Sequence, residues 1–210
     1  MQRNLINILI LFIKIKIIYY MKILLKFLVL LIFFQSSTIA DDISEFEIEG
    51  MSIGDSLLDH FSKNKIKASI VSGPYDHIKK NPGKFYQAEI SLNNSVFSDL
   101  IIGLKKNDEK FRIYMLKGAL IFEDNIEACY EKQREINSQV ESLFTNLQKD
   151  EFEKSFDHDP DSKVKSITYW FEDGGYADVD CYDWSVKSGY VDHLRTGVSS
   201  KEFNDWLNEI

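Results

Sequence analysis

Residues 164–184 read VKSITYWFEDGGYADVDCYDW. Two runs rich in aromatic and β-branched residues, Val164 to Phe171 and Tyr176 to Trp184, flank the turn Glu172-Asp173-Gly174-Gly175. An Asp-Gly pair between two such runs favours the tight turn that joins antiparallel strands. This stretch therefore predicts a β-hairpin, and with it an antiparallel sheet.

Side chains on the second strand of this hairpin alternate between the two faces of the sheet. One face is apolar and carries Ala177, Val179 and Cys181, which we expect to be buried. An aromatic and acidic face can bind a cationic ligand, a sugar or a partner protein, and alternatively its rings pack against the C-terminal helix. The candidate ligand-binding residues are those on this second face: Tyr176, Asp178, Asp180, Tyr182 and Trp184.

Upstream of the hairpin, apolar residues recur at three- and four-residue spacing along a single helical stripe. Asp124 or Asn125 can cap this helix, and Glu127 in its first turn suits the helix dipole. The pattern predicts a long amphipathic helix that packs on the sheet. Its stripe consists of Ile126, Cys129, Tyr130, Ile136, Val140, Leu143, Phe144 and Leu147.

The remaining patterns predict an α+β fold, in which one or more antiparallel sheets are packed by the long helix, with short N- and C-terminal helices. The N-terminal helix is predicted from Ser52 to Lys63, and the C-terminal helix opens at Val198-Ser199-Ser200. An acidic linker is predicted from Asp150 to Ser162. The helix-then-hairpin order occurs twice, without a repeat in the sequence itself. The other predicted strands are Ala68 to Val71, Phe85 to Leu92, Leu100 to Lys105, Phe111 to Leu116 and Leu120 to Phe122, with turns at Lys106 to Glu109 and at Lys117-Gly118.

The first forty residues have the composition of a targeting segment rather than of a folded domain. Lys22 and Lys26 precede an apolar run from Phe27 to Phe34, and small residues lead to Ala40. This order predicts a secretory signal peptide cleaved after Ala40, and hence a periplasmic or extracellular domain over residues 41–210 with no stable membrane span after cleavage. Met21 is a second candidate start, in which case residues 1–20 are an upstream over-extension. The alternative is that residues 1–20 are translated and form an N-terminal hairpin in the membrane.

Two cysteines in an exported chain are expected to pair. Cys129 lies on the apolar stripe of the long helix, and Cys181 lies on the apolar face of the hairpin. If the helix packs on that sheet, the two meet and form a disulfide. Two buried free thiols are the alternative.

The charge of the chain excludes some partners. Residues 1–40 hold five of the 25 basic residues and none of the 33 acidic ones. The remaining domain is strongly acidic, so it is not expected to bind nucleic acid or anionic membranes. The residues also predict no metal site and no cofactor, because the four histidines are scattered and the acidic run from Asp157 to Ser162 lacks the glycine of a calcium loop.

One motif points to catalysis. Gly50-Met51-Ser52-Ile53-Gly54 matches the G-x-S-x-G nucleophile elbow of serine hydrolases. The motif stands so early in the predicted mature chain that several strands of such a hydrolase would be missing. Ser52 as an N-cap residue is therefore the simpler interpretation.

The segment Glu49-Gly50-Met51-Ser52-Ile53-Gly54-Asp55-Ser56-Leu57-Leu58 and the ending Ser200-Lys201-Glu202-Phe203-Asn204-Asp205-Trp206-Leu207 resemble a family of small exported proteins of small-genome marine bacteria. The resemblance covers most of residues 43–210 and implies export and an α+β fold, but no activity. The first segment is also faintly similar to the helix opening of outer-membrane-assembly lipoproteins and β-lactamase-inhibitor-like domains. The lipid-acceptor cysteine of the lipoproteins is missing here.

These observations lead to the expectation of a non-catalytic exported binding or interaction module. Its partner would be a small polar or cationic ligand, or another envelope protein. The alternatives are a serine hydrolase that uses Ser52 and a structural cell-envelope protein.

Overall fold

The computed structural model describes residues 43–71, 83–144 and 146–209. The predicted signal peptide, the candidate start at Met21 and the cleavage site after Ala40 lie outside the described residues. Within these ranges, eight strands form one antiparallel sheet and three α-helices accompany it. The α+β class is thereby confirmed, although the sheet dominates the fold.

The helices are α1 (Lys63–Ala68), α2 (Ile126–Leu143) and α3 (Lys201–Asn208). The strands are β1 (Ile70–Val71), β2 (Phe85–Ser91), β3 (Asp99–Lys105), β4 (Ile113–Glu123), β5 (Gln148–Phe156), β6 (Asp159–Trp170), β7 (Tyr176–Asp183) and β8 (Asp192–Ser199).

The order of the strands in the sheet is β1-β2-β3-β4-β8-β7-β6-β5. Each half of the chain is a helix followed by four strands, and the last strand of each half, β4 or β8, lies at the centre of the sheet. The helix-then-hairpin order noted in the sequence thus extends to the whole of both halves. The two central strands pair antiparallel from Met115↔Ser199 to Glu123↔Asp192.

One face of the sheet, here called the helix face, carries the main core. A row of buried side chains crosses six strands on this face: Ala88, Ile102, Leu116, Val198, Ala177 and Tyr169. Helix α2, helix α1 and the N-terminal segment cover this row with buried apolar residues that include Val140, Ile66 and Ile48.

Helix α3 packs on the opposite face, here called the open face. Ser200 caps α3 by accepting a hydrogen bond from Phe203 N at 3.3 Å. Phe203 and Trp206 of α3 pack on Phe85, Ile101 and Met115. Gly103 allows this contact, because a Cβ atom there would lie 2.6 Å from a ring carbon of Phe203.

A disulfide joins Cys129 on α2 to Cys181 on β7, as predicted. Both cysteines are fully buried beside Val179 and Leu194. Gln133, one turn further along α2, donates to the carbonyl groups of Val179 at 2.7 Å and Lys165 at 2.8 Å. The helix is therefore attached to β6 and β7 by a covalent bond and by buried hydrogen bonds.

The predicted helix from Ser52 to Lys63 is wrong. Ser52 N does donate to Asp55 Oδ2 at 2.8 Å, as in a capping box. Gly54 has a φ of +93°, however, which a right-handed helix does not accommodate. Only a 3₁₀ turn follows at Leu57–Asp59, and α1 begins after its own cap, Ser62.

The predicted turn at Lys117-Gly118 is also wrong, because both residues lie inside the single strand β4. Gly118 does not mark a turn here. Its missing Cβ leaves space for the ring of Phe97, from which a Cβ would lie only 2.5 Å away.

The predicted linker from Asp150 to Ser162 is strand β5, a hairpin turn and the start of β6. Strand β5 is an edge strand that is exposed along most of its length. Because charged residues lie on both of its faces, the sequence of β5 lacks the apolar–polar alternation that predicts a strand. Such charges are typical of edge strands that avoid aggregation.

Candidate functional site

The open face brings the predicted site residues of β7 next to cationic residues of the central strands. Tyr176, Asp178, Asp180 and Tyr182 share this face of β7. Strand β8 pairs Asp180 with Arg195 and Asp178 with Gly197, and β4 pairs Gly197 with Lys117. The acidic face of the hairpin is therefore half of a mixed-charge arrangement.

Lys117 and Asp178 form an ion pair across the glycine that separates them. Lys117 Nζ contacts Asp178 Oδ2 and lies 4.0 Å from Asp180 Oδ2. The two aspartate side chains are less than a tenth exposed, and Lys117 is 17% exposed. Burial disfavours the charge on Lys117, but Asp178 and Asp180 outweigh it and raise the lysine pKa.

Asp180 has a second partner, since Ser166 Oγ of β6 donates to its Oδ1 at 2.5 Å. Burial, followed by the charge of Asp178, raises the pKa of Asp180 to about 7. Lys117 and Arg195 act in the opposite direction but do not restore the ordinary value. Asp180 therefore gains or loses a proton near neutral pH.

Among the described residues Arg195 forms no ion pair, although Asp180 is its cross-strand neighbour on β7. Its guanidinium lies 5.2 Å from the centre of the Tyr182 ring. Within the part of the chain that the structure describes, Nε of Arg195 is buried and has no hydrogen-bond partner. Buried polar groups are nearly always hydrogen-bonded, so a buried N–H donor without an acceptor is unusual.

A pocket of about 320 Å³ opens beside Arg195. Its apolar wall comes from β3, β4 and α3, and its polar wall comes from β2, β4, β7 and β8. The tyrosine hydroxyls stay protonated because burial raises both pKa values, that of Tyr182 to about 12. The pocket is lined by Ile101, Met115, Phe203, Leu207, Gln87, Glu89, Lys117, Tyr176, Tyr182 and Arg195.

Of the five predicted site residues, Tyr176 and Tyr182 line this pocket, whereas Asp178 and Asp180 are buried in the ion-pair cluster beside it. Trp184 lies further along the face, outside the pocket. Its ring stacks on Phe156 with centroids 4.9 Å apart and on Tyr182 at 6.0 Å, rather than on helix α3. The rings of this face therefore pack mainly on one another.

Sequence reasoning missed the cationic half of the site. The predicted elements place Lys117 in a turn and do not include strand β8. They therefore assign neither Arg195 nor Gly197 to a face of the sheet. The alternation of Leu194, Thr196 and Val198 with His193, Arg195 and Gly197 is the signal that predicts β8.

The two other motifs do not assemble a site. Ser52 is 7% exposed, and its hydroxyl donates to the carbonyl of Phe46 at 3.0 Å. No histidine of the described residues is hydrogen-bonded to it, and no α-helix begins between Ser52 and Lys63, whereas in a nucleophile elbow a helix follows the serine directly. In the acidic segment, Asp159 accepts hydrogen bonds from the hydroxyls of Ser162 at 2.5 Å and Ser185 at 2.6 Å. Its carboxylate therefore stabilises the local turn structure.

Searches of the described ranges found no group of three potential metal ligands and no helix both long and apolar enough to cross a membrane. Comparisons with protein-family models, curated proteins and solved structures found no match.

Proposed function

We propose that this chain is an exported, non-catalytic binding module that holds a small carboxylate-bearing ligand in the pocket beside Arg195. The predicted signal peptide and the Cys129–Cys181 disulfide support export, since such bonds persist in oxidising compartments. The buried Nε of Arg195, which has no hydrogen-bond partner among the described residues, is the observation that carries the binding proposal.

Two of the three charged residues described in the lining of the pocket, Lys117 and Arg195, are cationic, and the third, Glu89, accepts a hydrogen bond from Gln87 at 2.7 Å. This lining favours an anionic ligand over the cationic one expected from the sequence. Asp178 is already paired with Lys117, and Asp180 is close to its pKa at neutral pH. The negative charge of these two aspartates is therefore largely neutralised within the protein. The planar arrangement of N–H donors in an arginine guanidinium matches the two oxygens of a carboxylate.

The shape of the pocket indicates what else the ligand carries. Ile101, Met115 and Phe203 give the pocket an apolar part beside its polar and charged residues. A ligand with a carboxylate at one end and an apolar body of moderate size satisfies both walls.

Isothermal titration of the oxidised exported protein with octanoate tests this proposal. Arg195→Gln is expected to weaken binding by about tenfold or more, because a charge-assisted pair is lost. The affinity of Arg195→Lys for octanoate should lie between those of the parent protein and Arg195→Gln, because lysine keeps the positive charge but lacks the planar set of N–H donors. Arg134→Gln, an exposed position on α2, is the matched control and should bind like the parent protein.

Equal affinity of Arg195→Gln and the parent protein would contradict the proposal, as would an absence of binding to both octanoate and benzoate. A second carboxylate probe guards against a mismatch of shape with the first.

A further inference from the structure

A second cleft lies on the helix face, on the other side of the sheet from Arg195. It has a volume of about 430 Å³ and lies over the central strands, where Leu120 and Thr196 form its floor. Helix α2 forms one wall through Ile136 and Val140. The opposite wall comes from residues 45–49 and from the loop that carries Val96 and Phe97.

The lining of this cleft is mainly apolar, and some of it faces solvent. Val96 at its mouth is 75% exposed, and Leu143 at the end of α2 is 55% exposed. Apolar groups at the mouth of a concave, apolar site lose contact with water when a ligand fills that site.

The rim of the cleft is acidic. Glu45, Glu47 and Glu49 follow one another along the N-terminal wall. Lys132 is the one basic residue among the described residues that line the cleft, and its Nζ lies 2.5 Å from the Glu135 carboxylate. Glu49 accepts a hydrogen bond from Ser95. None of these three glutamates forms an ion pair with a described residue, so three carboxyl groups lie together at the edge of an apolar cleft.

We propose that this cleft binds a small amphiphilic cation, with its apolar part between α2 and Phe97 and its ammonium group among the three glutamates. The charge of this ligand is opposite to that of the ligand in the Arg195 pocket, and the two sites lie on opposite faces. This second site does not depend on the first, and each can fail alone.

The test is a titration of the oxidised exported protein with octylammonium, followed by amide NMR shifts of Ile136 and Val140. The double variant Glu45→Gln/Glu47→Gln is expected to weaken binding by about three- to tenfold, because two exposed charge contacts are lost. The control, Glu109→Gln/Glu131→Gln, changes the net charge equally at exposed positions outside the cleft and should leave the affinity unchanged.

A further variant, Val96→Trp, places a large ring at the mouth of the cleft without touching the glutamates. It should reduce octylammonium binding and leave octanoate binding at Arg195 unchanged. Three results would overturn the proposal: octylammonium that fails to shift the α2 resonances, octanoate that shifts them as strongly, or both double variants binding octylammonium equally well.

Discussion

Lys117 on β4 contacts Asp178 on β7, although the whole of strand β8 lies between them. Between the two residues, strand β8 places Gly197, which pairs with Lys117 of β4 on one side and with Asp178 of β7 on the other. Because glycine has no side chain, the lysine can extend over β8 to the carboxylate. A buried ion pair thus joins the two halves of the sheet.

Gly197→Ala is expected to destabilise the protein by about 1–3 kcal/mol, because the new methyl group overpacks the sheet. Its Cβ would lie 2.6 Å from Lys117 Cα and 2.7 Å from Lys117 Cγ, where little can move. Urea denaturation measures the change. Gly189→Ala is the comparison, because its φ of +72° is strained but no atom lies within 4 Å of the added Cβ. A cost no larger than that of Gly189→Ala would contradict the steric argument.

Asp180 should make stability fall as pH rises from about 4 to about 7. Its pKa is about 7 in the folded protein and 3.8 in the reference state. In this window the folded state binds the proton more tightly, so raising the pH favours the unfolded state. Asp180→Asn should flatten this part of the stability curve in chemical denaturation at several pH values. The exposed control Asp59→Asn should retain the parent slope, and an Asp180→Asn curve parallel to the parent would show that Asp180 is not protonated there.

The affinity for octanoate should increase as the pH is lowered from about 8 to about 6, by about threefold or more. Protonation of Asp180 removes a negative charge close to Arg195, while the octanoate carboxylate remains ionised over most of this range. Calorimetric titration at both pH values measures the change. In Asp180→Asn the dependence should be largely lost; an affinity that falls at the lower pH would contradict the placement of the carboxylate at Arg195.

Removal of the disulfide by Cys129→Ala/Cys181→Ala should cost about 4 kcal/mol, because the bond closes a long loop. The two cysteines are 52 residues apart in the sequence and are both fully buried. Urea denaturation with and without reductant measures the loss. Reductant should lower the stability of the parent protein and leave that of the variant unchanged, and a parent that is insensitive to reductant would show that the bond is not what stabilises α2.

Ser52→Ala should lower stability by about 1 kcal/mol through the lost hydrogen bond to Phe46. We expect neither the parent protein nor the variant to react with a fluorophosphonate probe, because no base of the described residues is hydrogen-bonded to the hydroxyl. Mass spectrometry after labelling is the measurement. A probe adduct on Ser52 would restore the hydrolase interpretation.

Local patterns predicted the elements whose signals lie within a short stretch of chain. The hairpin from Val164 to Trp184, the start of α2 at the Asn125 cap and the start of α3 at the Ser200 cap are all visible in consecutive residues. The Cys129–Cys181 bond followed from two local faces and the expectation that they pack. Prediction failed at Gly54 and Gly118, where one glycine ends a helical pattern and the other continues a strand.

The sequence by itself determined the antiparallel hairpin, the amphipathic helix and the aromatic and acidic face of β7, since period and composition set each of them locally. Only the tertiary structure decided that β8 lies between β4 and β7, and therefore that Lys117 meets Asp178 and that Arg195 lies at the pocket wall, where no described residue accepts a hydrogen bond from its Nε. Such contacts depend on strand order and register, which arise from packing between distant parts of the chain and have no signature in neighbouring residues.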